Sequence, residues 1–388
     1  TRSTRRVKRS RDILSLAPFR LLDFAGCCIH ASPTLALYIY ATLMQQKGVF
    51  EAESKVIINS TGVSLRGTIP FPLALTPYLK GVYFMSFLAF QGSVELGIIY
   101  AIMALGVFIS FRTLNMPDLT VDGSFVLGAA VSATLCSGGH PLVGLALAFA
   151  AGCLAGSVTA LLHTKLNIQP LLSGILVMLG LYSINLRVMD GRANIPLLNK
   201  ATVFSLLQGT PLEESAALLI PTIILLSMLV LLFLFLKTQF GFVLRATGDN
   251  GQMVRALGVN TDRVILIGLA LSNALVALSG SLIAQYQSFA DISMGIGMVI
   301  IGLASVIIGE VIFGTTPLLR RLVAVILGAV LYRLVIALAL ELGMAPTDLK
   351  LISALIVTLA LSMPSIKAYL IAWKKKHSSP YSRKGGQA

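Results

Sequence analysis

Nine predominantly apolar runs of 17 to 22 residues constrain this 388-residue chain more than any other feature. They cover roughly 91–111, 119–136, 141–161, 169–187, 216–236, 264–284, 297–313, 320–340 and 350–371. A helix of that length matches the roughly 30 Å hydrocarbon core of a bilayer. Lipid offers no hydrogen bonds, so a crossing segment must satisfy its own backbone, and a helix does this within one run. A chain that is 56% hydrophobic and 12% charged fits that class and no soluble one. The expected fold is an all-α polytopic transmembrane helical bundle of about eight or nine spans. The second and seventh runs are short and carry glycines, so either is a candidate for a broken or re-entrant segment.

Charge distribution orients the bundle. The formal net charge of +14 is concentrated at the ends, with +7 in residues 1–84 and +5 from Trp373 onward, leaving +2 for the 288 residues between. No basic patch on a folded domain results, which argues against nucleic acid as a partner and for anionic lipid. One set of loops, with the C-terminal tail, holds 14 lysines and arginines, among them Arg112, Lys237, Arg245, Arg255, Arg263, Arg320 and Arg321. The opposite set holds four: Arg187, Arg192, Lys200 and Lys350. By the positive-inside rule the first set and the C-terminus are cytoplasmic, and the first span enters from outside. The outward segments 188–215 and 285–295 are then a long connection and an aromatic turn containing Asp291.

Residues 239–263, QFGFVLRATGDNGQMVRALGVNTDR, form a polar island between two runs, on the cytoplasmic side. Asp249 or Asn250 is placed to cap a helix start and Gly258 to provide a left-handed stop. About two turns lie between them, with Met253, Val254 and Leu257 expected on one face and Arg255 on another. So short a helix is unstable alone in water and needs a surface, either the membrane boundary or another protein.

Charged groups within the apolar runs are the candidates for a solute path. In PDLTVDGSFVLGAAV (117–131) Pro117 blocks helix continuation and Gly123 loosens the backbone, while Asp118 and Asp122 bring two carboxylates to an apolar run. This is either a broken helix of the kind found at solute paths or an ordinary cytoplasmic turn with Asp118 capping span two. Arg333 lies inside span eight, where an arginine usually faces a cavity or an acid on another helix, or reaches the lipid boundary. Glu310 falls near the cytoplasmic end of span seven, either meeting a partner or capping a helix end. The glycines at close spacing, such as Gly152 and Gly156, are packing devices.

Chemistry of the chain's own is absent from the pattern. The four cysteines (Cys27, Cys28, Cys136, Cys153) show no CxxC spacing, and the four histidines are dispersed with no paired carboxylates. There is no phosphate-binding loop and no nucleophile turn, and Gly295–Gly297 is discounted as a GxG because a span follows it. No catalytic residue, cofactor or metal is expected.

Residues 1–84 are set apart from the rest. They open TRSTRRVKRSR and contain a mediocre apolar stretch at 21–44, and Met85 begins a sequence typical of a polytopic start. They are an extra span, a targeting-like segment, or an extension that is not translated; Met85 as the start is the favoured expectation. Residues 85–372 are then the transmembrane domain and 373–388 a basic cytoplasmic tail.

The island GFVLRATGDNGQMVRALGVN resembles the cytoplasmic coupling loop of ABC importer permeases of the branched-chain amino acid and ribose class. The following LALSNALVALSGSLIAQYQSFADISMGIGMVIIGLASVIIGE is similar to that family's next two spans. GIIYAIMALGVFISFRTLNMPDLTVDGSFVLGAAV narrows the resemblance to the tryptophan- or tyrosine-type amino acid importer branch, and the likeness runs over about residues 86–372. It implies a homodimeric permease in the bacterial inner membrane, two cytoplasmic ABC ATPases and an extracytoplasmic solute-binding protein. It also implies that Arg245, Asp249, Asn250, Arg255 and Gly258 belong to the ATPase-coupling segment, and that residues 118–125, including Ser124, sit near the central path. The expected function is therefore the permease subunit of an ATP-driven importer for an amino acid or related nutrient, not an enzyme. The alternative is an ion-coupled secondary transporter that uses Asp122 and Arg333.

Overall fold

The computed structural model describes residues 87–207, 215–314 and 316–342, with a few positions between 344 and 362. The readings made for residues 1–84 and 373–388, and most of the ninth run, lie outside the described residues.

Eight helices occupy the first eight apolar runs. They are α1 (Phe87–Val107), α2 (Thr120–Ser137), α3 (Pro141–Thr164), α4 (Pro170–Val188), α5 (Ala216–Lys237), α7 (Thr261–Gln287), α8 (Met298–Phe313) and α9 (Leu318–Glu341). The island forms α6 (Gln239–Ala256). Seven of the helices are long and apolar enough to cross a membrane. At 16 residues, or about 24 Å at 1.5 Å per residue, α8 is the short one. Prolines open α3 and α4, where the first turn needs no amide donor.

The bundle is built around α7. This helix packs on α1, α2 and α3, and its buried polar side chains tie it to them. Ser272 donates to the Gly106 carbonyl (2.7 Å) and Ser279 to the Ile99 carbonyl (2.8 Å). Gln285 donates to the Ser132 hydroxyl (2.9 Å) and accepts from the Val203 amide (2.7 Å). In a lipid environment every such group needs a partner, so these bonds also fix the register of the neighbouring helices. Glycines let the backbones close in. A Cβ on Gly128 would stand 1.9 Å from the Ala277 carbonyl oxygen, and one on Gly280 2.0 Å from that of Phe125. By contrast, α5 leaves an apolar groove of about 1060 Å³ against α3 and α7.

The two ends of the bundle differ. At the end away from α6, β1 (Asn194–Pro196) and β2 (Phe289–Asp291) pair antiparallel, joining the long connection before α5 to the turn after α7. Asp291 closes this ribbon, accepting from Asn194 Nδ2 (3.2 Å), the Ser293 amide (2.8 Å) and the Ser293 hydroxyl. The Ser293 hydroxyl above all holds its carboxyl below the usual carboxylate range. Its contribution is therefore present above the unfolded carboxylate value and is lost as pH falls through the lowered folded one.

The glycine contacts make a paired prediction. Gly128→Ala forces apart two helices whose backbones touch, and overpacking of this kind costs about 1–3 kcal/mol. Gly180→Ala meets nothing within 4 Å and is expected to be silent. Melting temperatures of the two variants in detergent, compared with wild type, check the pair.

Candidate functional site

Two regions bring the charged and polar candidates together, one at the α6 end and one at the middle of the bundle. At the α6 end, the island is two helical segments and not one. Thr238 caps the first, its hydroxyl accepting from the Gly241 amide (3.2 Å). The chain then breaks at Asn250 (φ −154°, ψ 88°), whose side-chain oxygen accepts from the Met253 amide (3.0 Å) and starts the second. Gly258 stops it at φ +83°. The cap and the stop stand as the sequence indicates, but the preceding helix was not legible there, because Gly241 and Gly248 interrupt its pattern. Those glycines are packing contacts: a Cβ on Gly248 would sit 2.0 Å from the Thr113 carbonyl oxygen.

The expected face is also divided. Val254 is buried, whereas Met253 and Leu257 are 58% and 72% exposed. Residues 253 and 257 share a face at a spacing of four, and 254 is turned about 100° from them toward the bundle. Phe242 is exposed as well. Two of the island's three arginines, Arg245 and the largely exposed Arg255, are held by groups of the chain itself. Arg245 donates to the Leu236 carbonyl (3.3 Å) and lies over the Phe242 ring (5.0 Å). Arg255 holds Thr261 (2.8 Å) and Asp262 (2.9 Å) at the start of α7. Asp249 and Asn250 are exposed at the kink. Beneath it lies a recess of about 310 Å³, walled in part by Met116, Thr247, Gln252 and Ile265.

Directly behind Gly248 the last turns of α1 are π-helical (Phe108–Thr113). Such insertions recur at functional sites. They carry Arg112 to Glu310 of α8 (2.7 Å), and Glu310 also accepts from Arg321 of α9 (2.8 Å). Glu310 is 5% exposed. It is therefore the clasp of three spans, and neither expectation for it holds: it is paired within the chain instead of facing a cytoplasmic partner or capping a helix end in water.

The second region lies opposite the midpoint of α7. Asn273, the middle residue of that helix in all but name, donates to Asp118 Oδ2 (2.7 Å) and accepts from Ser124 (2.7 Å). Asp118 Oδ1 accepts from the Thr120 amide (2.9 Å), at the start of α2. Thus α2 begins about halfway along α7, not at its end, and the turn before it is at membrane depth. Four residues on, Asp122 accepts from the Gly297 (3.0 Å) and Val299 (2.8 Å) amides, the free donors at the start of α8. Both short helices therefore start in the interior with a carboxylate on their N-terminal amides. The structure brings Asp118, Asp122 and Ser124 together and leaves Arg333 apart, against Tyr100 on α1 (4.9 Å). Among the described residues Arg333 forms no ion pair.

Residues 90–362 match the family model described as the permease component of the branched-chain amino acid transport system. The chain belongs to this family. It is 44% identical over 261 residues to the tyrosine transport system permease protein of Clostridioides difficile, covering 67% of this chain and 86% of that protein. The uncharacterized protein RP368 of Rickettsia prowazekii is 36% identical over 277 residues, 70% of this chain and 95% of its own. The ribose import permease protein RbsC of Escherichia coli K12 is 27% identical over 212 residues, 54% of this chain and 65% of its own. No solved structure matches. The chain is thus the permease subunit of an ABC importer, a multi-pass membrane protein whose family works with an ATPase and a binding protein.

For this permease the sequence did not single out Asn273, Gln285 or Glu95. A lone acid or amide within an apolar run is the signal that marks them. Removing the Glu310 carboxylate strands two arginines. Glu310→Ala is expected to destabilise by about 1–3 kcal/mol, less than a fully buried pair because both guanidiniums reach water. Arg112→Lys, which keeps the charge, should cost less. Thermal unfolding of the purified permease measures the difference.

Proposed function

We propose that this permease imports an amino acid, driven by ATP hydrolysis in a separate cytoplasmic ATPase that grips the second segment of α6. The observation that carries this reading is the exposure of Met253 and Leu257 on one face of a helix whose arginines are tied back into the bundle. An isolated pair of large apolar side chains beside a polar kink is suited to a partner's groove, as an amphipathic helix uses anchors at a spacing of four. The solute class follows from the similarity to a tyrosine transport permease, and the selecting partner is an extracytoplasmic binding protein. The α6 end is cytoplasmic by the arginine and lysine count, as is the C-terminus, in a bacterial inner membrane. Residues 85–372 act as the transmembrane domain, with 373–388 a basic tail, and two copies assemble around the path.

Force from the ATPase has a short physical route. Gly248 abuts the Thr113 carbonyl, Arg112 is the preceding residue, and its guanidinium holds Glu310 between α8 and α9. Movement of α6 then bears on the clasp of the three spans, and through α8 on its interior start at Asp122. Asp118, Asp122 and Ser124 border the path in this reading, and Arg333 stands nearer its mouth. Rigid-body rocking of such elements is the usual form of alternating access.

Deleting Asp249–Gly258 is expected to abolish ATPase association while the bundle stays folded. Met253→Glu with Leu257→Glu should weaken it at least tenfold, and Gln252→Ala, outside that face, much less. Co-purification of the ATPase with each permease variant checks this; undiminished association of the deletion variant overturns the coupling assignment. Uptake that survives ATP depletion and collapses with an uncoupler would instead support the ion-coupled alternative.

A further inference from the structure

Helix α5 stands off from two of its neighbours. It packs on α1, but from Ile220 to Phe235 its other side borders the apolar groove against α3 and α7. Those two helices are themselves in backbone contact. A Cβ on Gly152 would stand 2.4 Å from the Asn273 carbonyl oxygen, and one on Gly156 2.2 Å from that of Leu269. The groove is therefore a slot beside a closed pair, and closer approach of α3 to α7 cannot remove it.

The dimensions of the slot select its occupant. From Ile220 to Phe235 it runs about 22 Å at 1.5 Å per residue. Spread over that length, its volume of about 1060 Å³ gives a mean cross-section of about 50 Å². A helix with its side chains is about 10–12 Å across and needs roughly twice that section. A whole helix, from a second copy or from another protein, is too wide, whereas acyl chains are slim enough. Left empty, the slot would forfeit the contacts of every side chain that lines it.

One end of the slot is charged. Lys165 follows the last residue of α3, Lys237 closes α5, and Arg263 lies in the first turn of α7. Each wall thus brings one cation to the α6 end, and all three are exposed. Arg263, the third arginine of the island, comes one turn before Leu266 and Ile267, which line the slot, and shares their face of the helix. Long side chains on a helix lean toward its N-terminus, which carries this guanidinium out of the apolar slot toward headgroup level. Among the described residues Arg263 forms no ion pair, and the carboxylate beside it, Asp262, is held by Arg255.

We propose that the slot binds an anionic phospholipid from the leaflet on the α6 side. Its acyl chains lie along Leu231, Ile267 and Ala270. Its phosphate takes the forked donors of Arg263, with Lys165 and Lys237 flanking. Basic pockets between spans select anionic headgroups in this way. The lipid braces α5 against α3 and α7, and the site requires only that the bundle spans a bilayer, whatever the solute or energy source.

The test uses the purified full chain, stripped of lipid in detergent and reconstituted in nanodiscs of phosphatidylcholine with a minor share of phosphatidylglycerol. Lipid that stays with the protein after the discs are dissolved and washed in mild detergent is quantified by mass spectrometry. Wild type should enrich phosphatidylglycerol over the supplied mixture at least tenfold. Arg263→Gln should lower that preference at least fivefold while still retaining lipid, and Arg263→Lys should keep most of it. Ala270→Phe, which fills the slot, should reduce retention of both lipids at least fivefold. Leu179→Phe, on the exposed face of α4, should change neither. Where Ala270→Phe fails to assemble, Ser227→Phe closes the slot from the α5 side. Retention without preference in the wild type overturns the site, as does a preference untouched by Arg263→Gln. A slot-filling variant that changes the mass of the permease particle and leaves lipid retention unchanged assigns the slot to a second copy, and that also overturns it.

Discussion

Everything in this bundle follows from the rule that a backbone amide inside lipid must find an acceptor in the protein. A full-length span meets the rule by itself. A helix that starts halfway through does not, because its first amides have no preceding carbonyls. Two helices here start in that way, and each has a carboxylate supplied to it: Asp118 for α2 and Asp122 for α8. Because Asp122 belongs to α2, the start of one short helix rests on the side chain of the other. Asn273 then ties the pair to α7. A positive helix end meeting a negative side chain is favourable on electrostatic grounds as well, so the junction is a stable hub and also a place where backbone polarity reaches the interior.

The same economy of partners explains the α6 end. Arg112 and Arg321 would be awkward at the edge of an apolar bundle, and Glu310 accepts from both. The π-helical turns of α1 aim Arg112 at that carboxylate while presenting the Thr113 carbonyl to Gly248. One stretch of six residues thus contacts the surface helix on one side and a three-span clasp on the other. The closeness of these contacts leaves little slack between a push on α6 and the response of α8.

The spans were legible in the sequence because lipid rewards a single property, apolar length, and the eight helices other than α6 fall where the first eight runs do. The kink at Asn250 and the stop at Gly258 were legible because turn chemistry is local. What could not be read was depth and pairing. PDLTVDG gives the same letters whether its turn lies in water or at mid-membrane, and only Asn273, 155 residues away, distinguishes the two. Val254 shows the same limit on a smaller scale: a short apolar triplet does not say which member turns inward until α6 has something to lie on. Glu310 was visible as an acid, but its two arginine partners sit 198 and 11 residues away.

The distance between Asp118 and Asn273 also bears on how the chain is made. At a synthesis rate of about 5–20 residues per second, roughly 8 to 30 seconds separate the appearance of Asp118 from that of the amide that completes its bonding. During that interval α2 is a marginal tenant of the bilayer, with a buried acid at its foot and the donor to that acid on a helix still to be built. Its final position is therefore completed late, when α7 brings Asn273 to Asp118.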